Sequence, residues 1–306
     1  YSLLGNHEIM NVLGETKYVS YKGLKDFEKA INPKTNNKYI NEPKINVLYK
    51  KHMKHIIKNE LKTYIKNNPN LTKEQINKKK IYLKNNQDSL YPIEKGRVVR
   101  KYLFSRGNKY AKFMACTRQT ALIIGSNLFV HAAIMPKLAK EFKGDDGIKN
   151  LNILIRRWLL NIIKLTDDVP NIGKVKDILT NYELSPFWPR FLGNLKNNVS
   201  INNMECKDLL EDTLHIYKVN NIIIGHTPQF HINKSGISTT CTGVNSSETK
   251  GIWRIDTGST KGFNEFSDSD LRNPQVLEIL NDNQFNILKS NEHTHKFRYF
   301  IKYKHK

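Results

Sequence analysis

The chain has 306 residues, of which 39% are hydrophobic and 10% aromatic, so it is long and apolar enough to bury a core and is not wholly disordered. No apolar run approaches the roughly 18 to 20 residues of a membrane-spanning helix, and we expect no membrane partner. Fifty basic and 28 acidic residues give a net charge of +22. Such an excess is typical of proteins that bind nucleic acid or another polyanion. Lysine mixed with asparagine and isoleucine is also what an AT-rich host or a large virus encodes, and we favour that compositional interpretation.

The cysteine content predicts the cellular compartment, and the first residues predict further sequence upstream. Three cysteines (Cys116, Cys206 and Cys241) are too few and too scattered for a disulfide framework or a cysteine-rich zinc site. We therefore expect Cys206 and Cys241 to be packing residues in a reducing compartment, the cytoplasm. The chain starts at Tyr1 and runs directly into an apolar pair, from which we expect further sequence upstream.

The first third of the chain predicts a small α/β start and a basic helical segment. Leu3 and Leu4 indicate the end of a strand, Gly5 a tight turn, and Glu8 the start of a helix. Residues 31–95 are rich in lysine and asparagine, with apolar residues at helical spacing over 47–65 and a capping box from Thr72 to Gln75. We interpret 31–95 as a mostly helical, solvated insertion, either a cap over a cleft or a linker with no specific role.

From about residue 96 the pattern becomes that of a globular α/β protein. Residues 120–125 and 128–130 predict a hairpin around Ser126-Asn127, and residues 276–279 and 285–288 predict a second hairpin. The apolar spacing predicts helices over 151–165 and 209–217, and strands over 222–224 and 252–255. The tail, residues 291–306, is polar and basic.

Three histidines stand just past the ends of predicted strands. His7 follows Leu3-Leu4, His131 follows residues 128–130, and His226 follows residues 222–225. In layered α/β folds, ligand sites form outside the carboxyl ends of strands. Imidazole is the commonest ligand of Zn, Mn and Fe, although a single histidine in a turn is more often a structural polar residue. Three in the same context weaken the structural interpretation, but their spacing alone does not establish a shared metal site.

The strings around these histidines resemble a known family. Gly5-Asn6-His7-Glu8, Val130-His131 and Gly225-His226-Thr227-Pro228-Gln229 are similar, in order and rough spacing, to the motifs of calcineurin-like metallophosphoesterases. Residues 185–190, 253–258 and 275–279 add a resemblance to the Shewanella-like phosphatases, a branch of the phosphoprotein phosphatase family. The resemblance covers 1–30 and 96–290. It implies an α/β fold, a metallophosphoesterase-type β-sandwich flanked by helices. That domain would span 1–290, with its N-terminal strands missing and with the insertion at 31–95. A basic tail at 291–306 would follow it.

The resemblance also implies a function and a site. It implies a metal-dependent phosphomonoester hydrolase, most similar to protein phosphatases, with two divalent ions (Mn, Fe or Zn) and a phosphoprotein substrate. Asn6, His131 and His226 would be metal ligands, and Arg190 would bind the substrate phosphate through its guanidinium fork. A metal-bridging hydroxide would attack the phosphorus, and His7 would protonate the leaving group as general acid. A dinucleoside-polyphosphate hydrolase is a neighbouring possibility.

The chain departs from the family pattern in two places. An Asp-x-His motif and a Gly-Asp-x-x-Asp-Arg-Gly motif normally precede the first string, and the resemblance places both upstream of Tyr1. From Tyr1 onward the chain holds half of the metal ligands that the resemblance implies. His131-Ala132-Ala133 also replaces the usual His-Gly-Gly. The alternative is therefore a truncated or degenerate, non-catalytic phosphatase remnant that binds polyanions, nucleic acid among them, through its basic surface.

Overall fold

The structure is a computed structural model that describes residues 1–29, 42–243, 250–259 and 272–289. The chain divides into two compact units, each described by itself. Unit 1 comprises Tyr1–Asn6 and Ala115–Lys306, and unit 2 comprises His7–Met114. The predicted α/β class is confirmed at that coarse level, because helices combine with a mixed sheet. Among the described residues, no helix has the length and apolarity needed to cross a membrane. The tail predicted over 291–306 lies outside the described residues.

The strands in the described ranges are short. They are β1 (Ser2–Leu3), β2 (Arg118–Gln119), β3 (Ala121–Ile124), β4 (Asn127–Val130), β5 (Asp168–Val169), β6 (Gly173–Lys174), β7 (Asn221–Ile224), β8 (Ser238–Thr240), β9 (Gly251–Arg254), β10 (Gln275–Leu280) and β11 (Gln284–Lys289). The α-helices are α1 (Asn6–Leu13), α2 (Tyr21–Lys29), α3 (Glu42–Asn67), α4 (Lys73–Asn85), α5 (Gln87–Leu90), α6 (Glu94–Phe104), α7 (Lys109–Thr117), α8 (Pro136–Glu141), α9 (Gly147–Leu159), α10 (Val175–Thr180), α11 (Phe191–Asn194), α12 (Met204–Cys206), α13 (Asp212–Tyr217) and α14 (Gln229–Ile232). Between α12 and α13 lies a π-helical segment, Lys207–Glu211.

A five-stranded sheet organises unit 1. Its order is β3-β4-β7-β9-β8, with β4, β7 and β9 parallel and the two outer strands antiparallel to their neighbours. The middle strand β7 is buried at every position, which is typical of a parallel strand covered on both faces. Because β4, β7 and β9 run in the same direction, the residues that follow them meet at one edge of the sheet.

The two predicted hairpins are confirmed, with a shift in the first turn. β3 pairs with β4 from Ile124↔Asn127 outward, so the loop is Gly125-Ser126 and starts one residue earlier than predicted. Gly125 has a φ of +57°, a conformation that glycine adopts without strain. The carboxylate of Asp282, in the turn between β10 and β11, accepts hydrogen bonds from the Ser126 N–H at 2.8 and 2.9 Å. This long-range contact fixes the turn.

The two predicted helices of unit 1 form with different ends. The helix predicted over 151–165 is α9, which ends at Leu159 because Asn161 adopts a positive φ of 63° and Ile162 is exposed. Its buried face includes Leu151, Ile155 and Trp158. The helix predicted over 209–217 starts earlier, at α12, and reaches α13 through the π-helical segment.

Unit 2 is helical in its described residues, as predicted for the insertion over 42–95; residues 30–41 lie outside the description. The predicted capping box at the start of α4 is confirmed. The Gln75 N–H donates to Thr72 Oγ1 at 3.2 Å and the Thr72 N–H donates to Gln75 Oε1 at 2.8 Å. Helix α3 packs against α6 near its start, where Ile45 clusters with Val99 and Leu103, and against α4 farther along.

Cys206 and Cys241 form a disulfide, with their Cα atoms 5.6 Å apart and both residues fully buried. The expectation of unpaired packing cysteines is therefore wrong for this pair. The β-bridge between Ser200 and Thr242 brings the two cysteine-bearing segments together. A separation of 35 residues in the sequence does not indicate by itself that Cys206 and Cys241 pair. Cys116 is exposed and is not part of a disulfide.

Candidate functional site

Three predicted ligand side chains meet in unit 1. Asn6 follows β1, which pairs in parallel with β2, while His131 directly follows β4 and His226 follows β7 by two residues. The Nε2 atom of His131 lies 3.0 Å from Asn6 Oδ1 and 3.1 Å from His226 Nδ1. The backbone joins the two strand ends, because the Gly225 N–H donates to His131 O at 2.9 Å. Two imidazole nitrogens and one amide oxygen therefore form a compact cluster.

The His226 ring is held in one orientation. Its Nε2 atom lies 3.2 Å from the carbonyl oxygen of Trp188, which can only accept a hydrogen bond. The proton of the neutral ring is therefore on Nε2, and the Nδ1 lone pair faces His131. His226 also has a φ of +63°, a region that is uncommon for residues other than glycine. Such backbone outliers cluster at functional sites.

The cluster fits part of the coordination sphere of a divalent cation. Neighbouring ligands about 2.1 Å from an octahedral metal lie about 3 Å apart, and the observed separations are 3.0 and 3.1 Å. Asn6 and His226 are 7% and 8% exposed, so water competes little for these atoms. The same distances are hydrogen-bond distances, so without a cation the His131 Nε2–H can donate to either neighbour. Binding of a cation would move that proton to Nδ1 or into solution.

Within the described part of the chain, the cluster has no negatively charged ligand. Over the described ranges, no three side chains among the histidines, cysteines, aspartates and glutamates gather as a metal-holding group. Asn6, His131 and His226 thus supply three neutral donor atoms. A dinuclear centre needs more ligands than these three, and carboxylates are the usual bridging ones.

Arg190 lies beside the cluster. Its Nη1 donates to the carbonyl oxygen of His226 at 2.7 Å and approaches Thr227 Oγ1 at 3.5 Å. Gly193, three residues farther on, approaches Thr227 so closely that a Cβ there would lie 2.3 Å from Thr227 Oγ1. The His226-Thr227 loop is therefore held by Arg190 and by the backbone of α11. A guanidinium fork in this place suits the oxygens of a phosphate.

Asp256 was not among the predicted site residues. It follows β9 by two residues, as His226 follows β7, and the Ile255 N–H donates to Ile224 O at 2.8 Å. Burial raises the pKa of the Asp256 carboxyl, while a hydrogen bond from the Gly258 N–H and the charge of Arg190 act to lower it. Its equivalent position after the neighbouring parallel strand is the sequence signal that could have identified it.

The raised pKa of Asp256 predicts a pH-dependent stability difference for Asp256→Asn. Between an unfolded aspartate pKa of about 3.9 and the raised folded-state pKa, the folded chain holds a proton that the unfolded chain has lost. Wild-type stability therefore falls as the pH rises through that interval, whereas asparagine does not ionise. We expect the melting temperature of the variant to match wild type near pH 4 and to exceed it near pH 7. A difference that does not change with pH would contradict this assignment.

His7 lies in the other unit. It is in the first turn of α1, exposed, and its ring stacks on Tyr18 with the centroids 5.1 Å apart. In unit 2 these two side chains line a cavity of about 250 Å³ together with Arg100, whose Nε donates to Asn11 Oδ1 at 2.9 Å. Of the five predicted site residues, the structure thus brings four together within unit 1: Asn6, His131, His226 and Arg190.

Comparisons with known proteins relate the chain to a viral protein. No protein-family model matches the chain, and no solved structure matches it. The uncharacterized protein R398 of Acanthamoeba polyphaga mimivirus is 30% identical over 296 residues, which cover 95% of this chain and 92% of that protein. Similarity of this level over nearly the whole of both chains shows common descent. The chain therefore belongs to the same family as protein R398 of that virus.

Proposed function

We propose that the chain is a metal-dependent phosphomonoester hydrolase with a phosphoprotein substrate, built on a metallophosphoesterase-type β-sandwich. The observation that carries this proposal is the approach of Asn6 Oδ1 and His226 Nδ1 to within 3.0 and 3.1 Å of His131 Nε2. The resemblance of their three motifs to the phosphatase motifs supports it. The fixed orientation of His226 is a further argument, since a ligand is held ready when its other ring nitrogen is bound by a carbonyl.

Each residue has a proposed role. Asn6, His131 and His226 would hold a divalent cation (Mn, Fe or Zn), which supplies Lewis acidity toward a phosphate oxygen and acidifies a water ligand. Arg190 would bind the phosphate oxygens; its contact with His226 O uses one terminal nitrogen of a group that has five N–H donors. The resemblance assigns His7 the role of proton donor to the leaving oxygen.

A second candidate is the non-catalytic remnant. It is favoured by the composition of the cluster, which within the described residues holds three neutral donors and no carboxylate. Such a set leaves the charge of a divalent ion uncompensated, so the ion would bind weakly. This candidate predicts weak binding of Mn²⁺ and no turnover.

The two candidates are separated by hydrolysis of p-nitrophenyl phosphate by the full chain, with and without Mn²⁺. Under the hydrolase proposal, turnover requires Mn²⁺. Arg190→Ala lowers kcat/KM by about 10²- to 10³-fold, because the positive charge that stabilises the transition-state oxygens is lost. Arg190→Lys keeps the positive charge but loses the planar guanidinium that can donate to two phosphate oxygens, so we expect it to recover little of the rate. Arg156→Ala, at an exposed arginine of α9, is the matched control and should leave the rate unchanged.

The outcomes of this assay are distinct. No turnover in a chain that binds Mn²⁺ would favour the remnant. Turnover that is equally fast in Arg190→Ala would contradict the proposed role of Arg190 in the phosphate site.

A further inference from the structure

A long apolar groove lies in unit 2 between α3 and α4, with a volume of about 890 Å³. Aliphatic side chains and one methionine form its floor. The floor comes from every fourth residue over one stretch of α3 together with one residue of α4: Met53, Ile57, Leu61 and Ile65, with Ile76.

The floor runs along one side of α3. A spacing of four residues places these side chains in a single stripe, and the 12 residue steps from Met53 to Ile65 span about 18 Å of helix. Met53 and Ile57 are almost fully buried, whereas Ile65 is 40% exposed. The Met53 end of the stripe is therefore covered by neighbouring atoms, and the apolar surface open to a ligand is that of Leu61 and Ile65, with Ile76 of α4.

Lysines border the floor on both sides. On α3 they recur every four residues, in a stripe parallel to the floor, and α4 contributes two more: Lys50, Lys54, Lys58 and Lys62, with Lys80 and Lys84. All six are exposed, and the described residues that line the groove include no acidic side chain. At one end the Tyr49 hydroxyl donates to Asp88 Oδ1 at 2.9 Å. The groove thus combines an apolar floor with strongly positive rims.

We propose that this groove binds an amphipathic helix of a partner protein, whose apolar stripe lies on the floor and whose acidic residues flank that stripe. The lysine stripe from Lys50 to Lys62 spans about 18 Å, or three turns of an α-helix. Helix-in-groove binding uses apolar anchors one turn apart, and Leu61 and Ile65 are spaced in this way on α3. The lysine rims supply the charge complementarity that selects acidic flanks. Their aliphatic stems widen the apolar surface while the ammonium groups stay in water.

The shape and charge of the groove disfavour other occupants. Single-stranded nucleic acid binds on aromatic stacking platforms, and this floor is aliphatic. The apolar side chains lie in a concavity between two helices, whereas an interfacial helix inserts a convex apolar face into a bilayer. A second copy meeting groove to groove would place six lysines against six lysines. Binding of a partner helix here would be independent of the proposed phosphatase activity.

The probe is a fluorescein-labelled, end-capped peptide of about 14 residues, with leucines at helical spacing flanked by glutamates. Its binding to the full chain is measured by fluorescence anisotropy at physiological ionic strength, beside a scrambled peptide of the same composition. Charge reversal with Lys54→Glu and Lys58→Glu should weaken binding at least about tenfold. The matched control reverses Lys51 and Lys73, which are exposed on the same helices but do not line the groove, and should change binding less than about twofold.

A second pair of variants tests the contribution of the apolar floor to peptide binding. Ile65→Ser should weaken binding about threefold or more, because an exposed anchor position loses its apolar contact. Ile81→Ser, on α4 outside the groove and 49% exposed, should leave binding unchanged. Thermal unfolding of each variant checks that the fold is retained.

Three results would overturn the proposal. They are the absence of peptide binding, equal binding of the scrambled peptide, and an equal loss in the control variants, which would indicate unspecific charge attraction. A single-stranded oligonucleotide of the same charge serves as competitor. Tighter binding of the oligonucleotide, with no effect of Ile65→Ser, would assign the surface to nucleic acid instead.

Discussion

Replacing His226 by alanine is expected to abolish detectable Mn²⁺ binding and to lower any Mn²⁺-dependent hydrolysis by at least about 10³-fold. The change removes one of three donor atoms in the cluster and leaves Asn6 Oδ1 beside His131 Nε2. Loss of an outer partner of a metal ligand already costs about 10- to 100-fold in metal affinity, and loss of a ligand costs more. Titration calorimetry and the electron paramagnetic resonance signal of free Mn²⁺ measure binding without reference to activity.

The controls for this prediction must separate ligand loss from loss of fold. His226 has a positive φ, so alanine there adds backbone strain, whereas asparagine tolerates that conformation. His226→Asn should therefore retain the melting temperature more fully than His226→Ala and still bind Mn²⁺ more weakly than wild type. His215→Ala, at an exposed histidine of α13, should bind Mn²⁺ as wild type does. If all three variants bind equally, the cluster is not the metal site.

Local patterns in the sequence were sufficient to predict much of the fold. A run of three isoleucines predicted β7, and apolar runs on either side of Asn281-Asp282-Asn283 predicted the β10–β11 hairpin. The capping box at Thr72 and Gln75 predicted the start of α4. These features depend on neighbours within a few residues, which is the range over which sequence periodicity is informative.

Features that depend on distant contacts were missed or misplaced. The first hairpin turn is set by Asp282, 156 residues from Ser126, and the Cys206–Cys241 bond by a β-bridge between remote segments. Asp256 follows β9 at the same edge of the sheet as His226, and it does so only because β9 lies next to β7 in the sheet order. Strand order is not encoded in local periodicity, so the sequence pointed to the candidate histidines but not to Asp256, which follows the neighbouring parallel strand.

Removal of the disulfide is expected to lower the free energy of unfolding by about 3 to 4 kcal/mol. The bond closes a loop of 35 residues, and in the chain-entropy model a loop of that length restricts the unfolded chain by this amount. Urea unfolding of wild type with and without a reductant, and of the Cys206→Ser/Cys241→Ser variant, measures the difference. Cys116→Ser is the matched control, because Cys116 is exposed and outside the disulfide.

The position of the disulfide also predicts what its removal leaves intact. Cys241 directly follows β8, at the far side of the sheet from β4, and the segment before Cys206 is additionally tied by the Ile201 N–H donating to Thr242 O at 2.9 Å. Arg254 holds the neighbouring loop through hydrogen bonds to Leu195 O, Asn197 Oδ1 and Thr239 O. The reduced chain should therefore unfold at lower urea concentration yet bind Mn²⁺ with unchanged affinity in its folded state. Equal stability of the oxidised and reduced chains would mean that these hydrogen bonds, and not the disulfide, hold the two segments together.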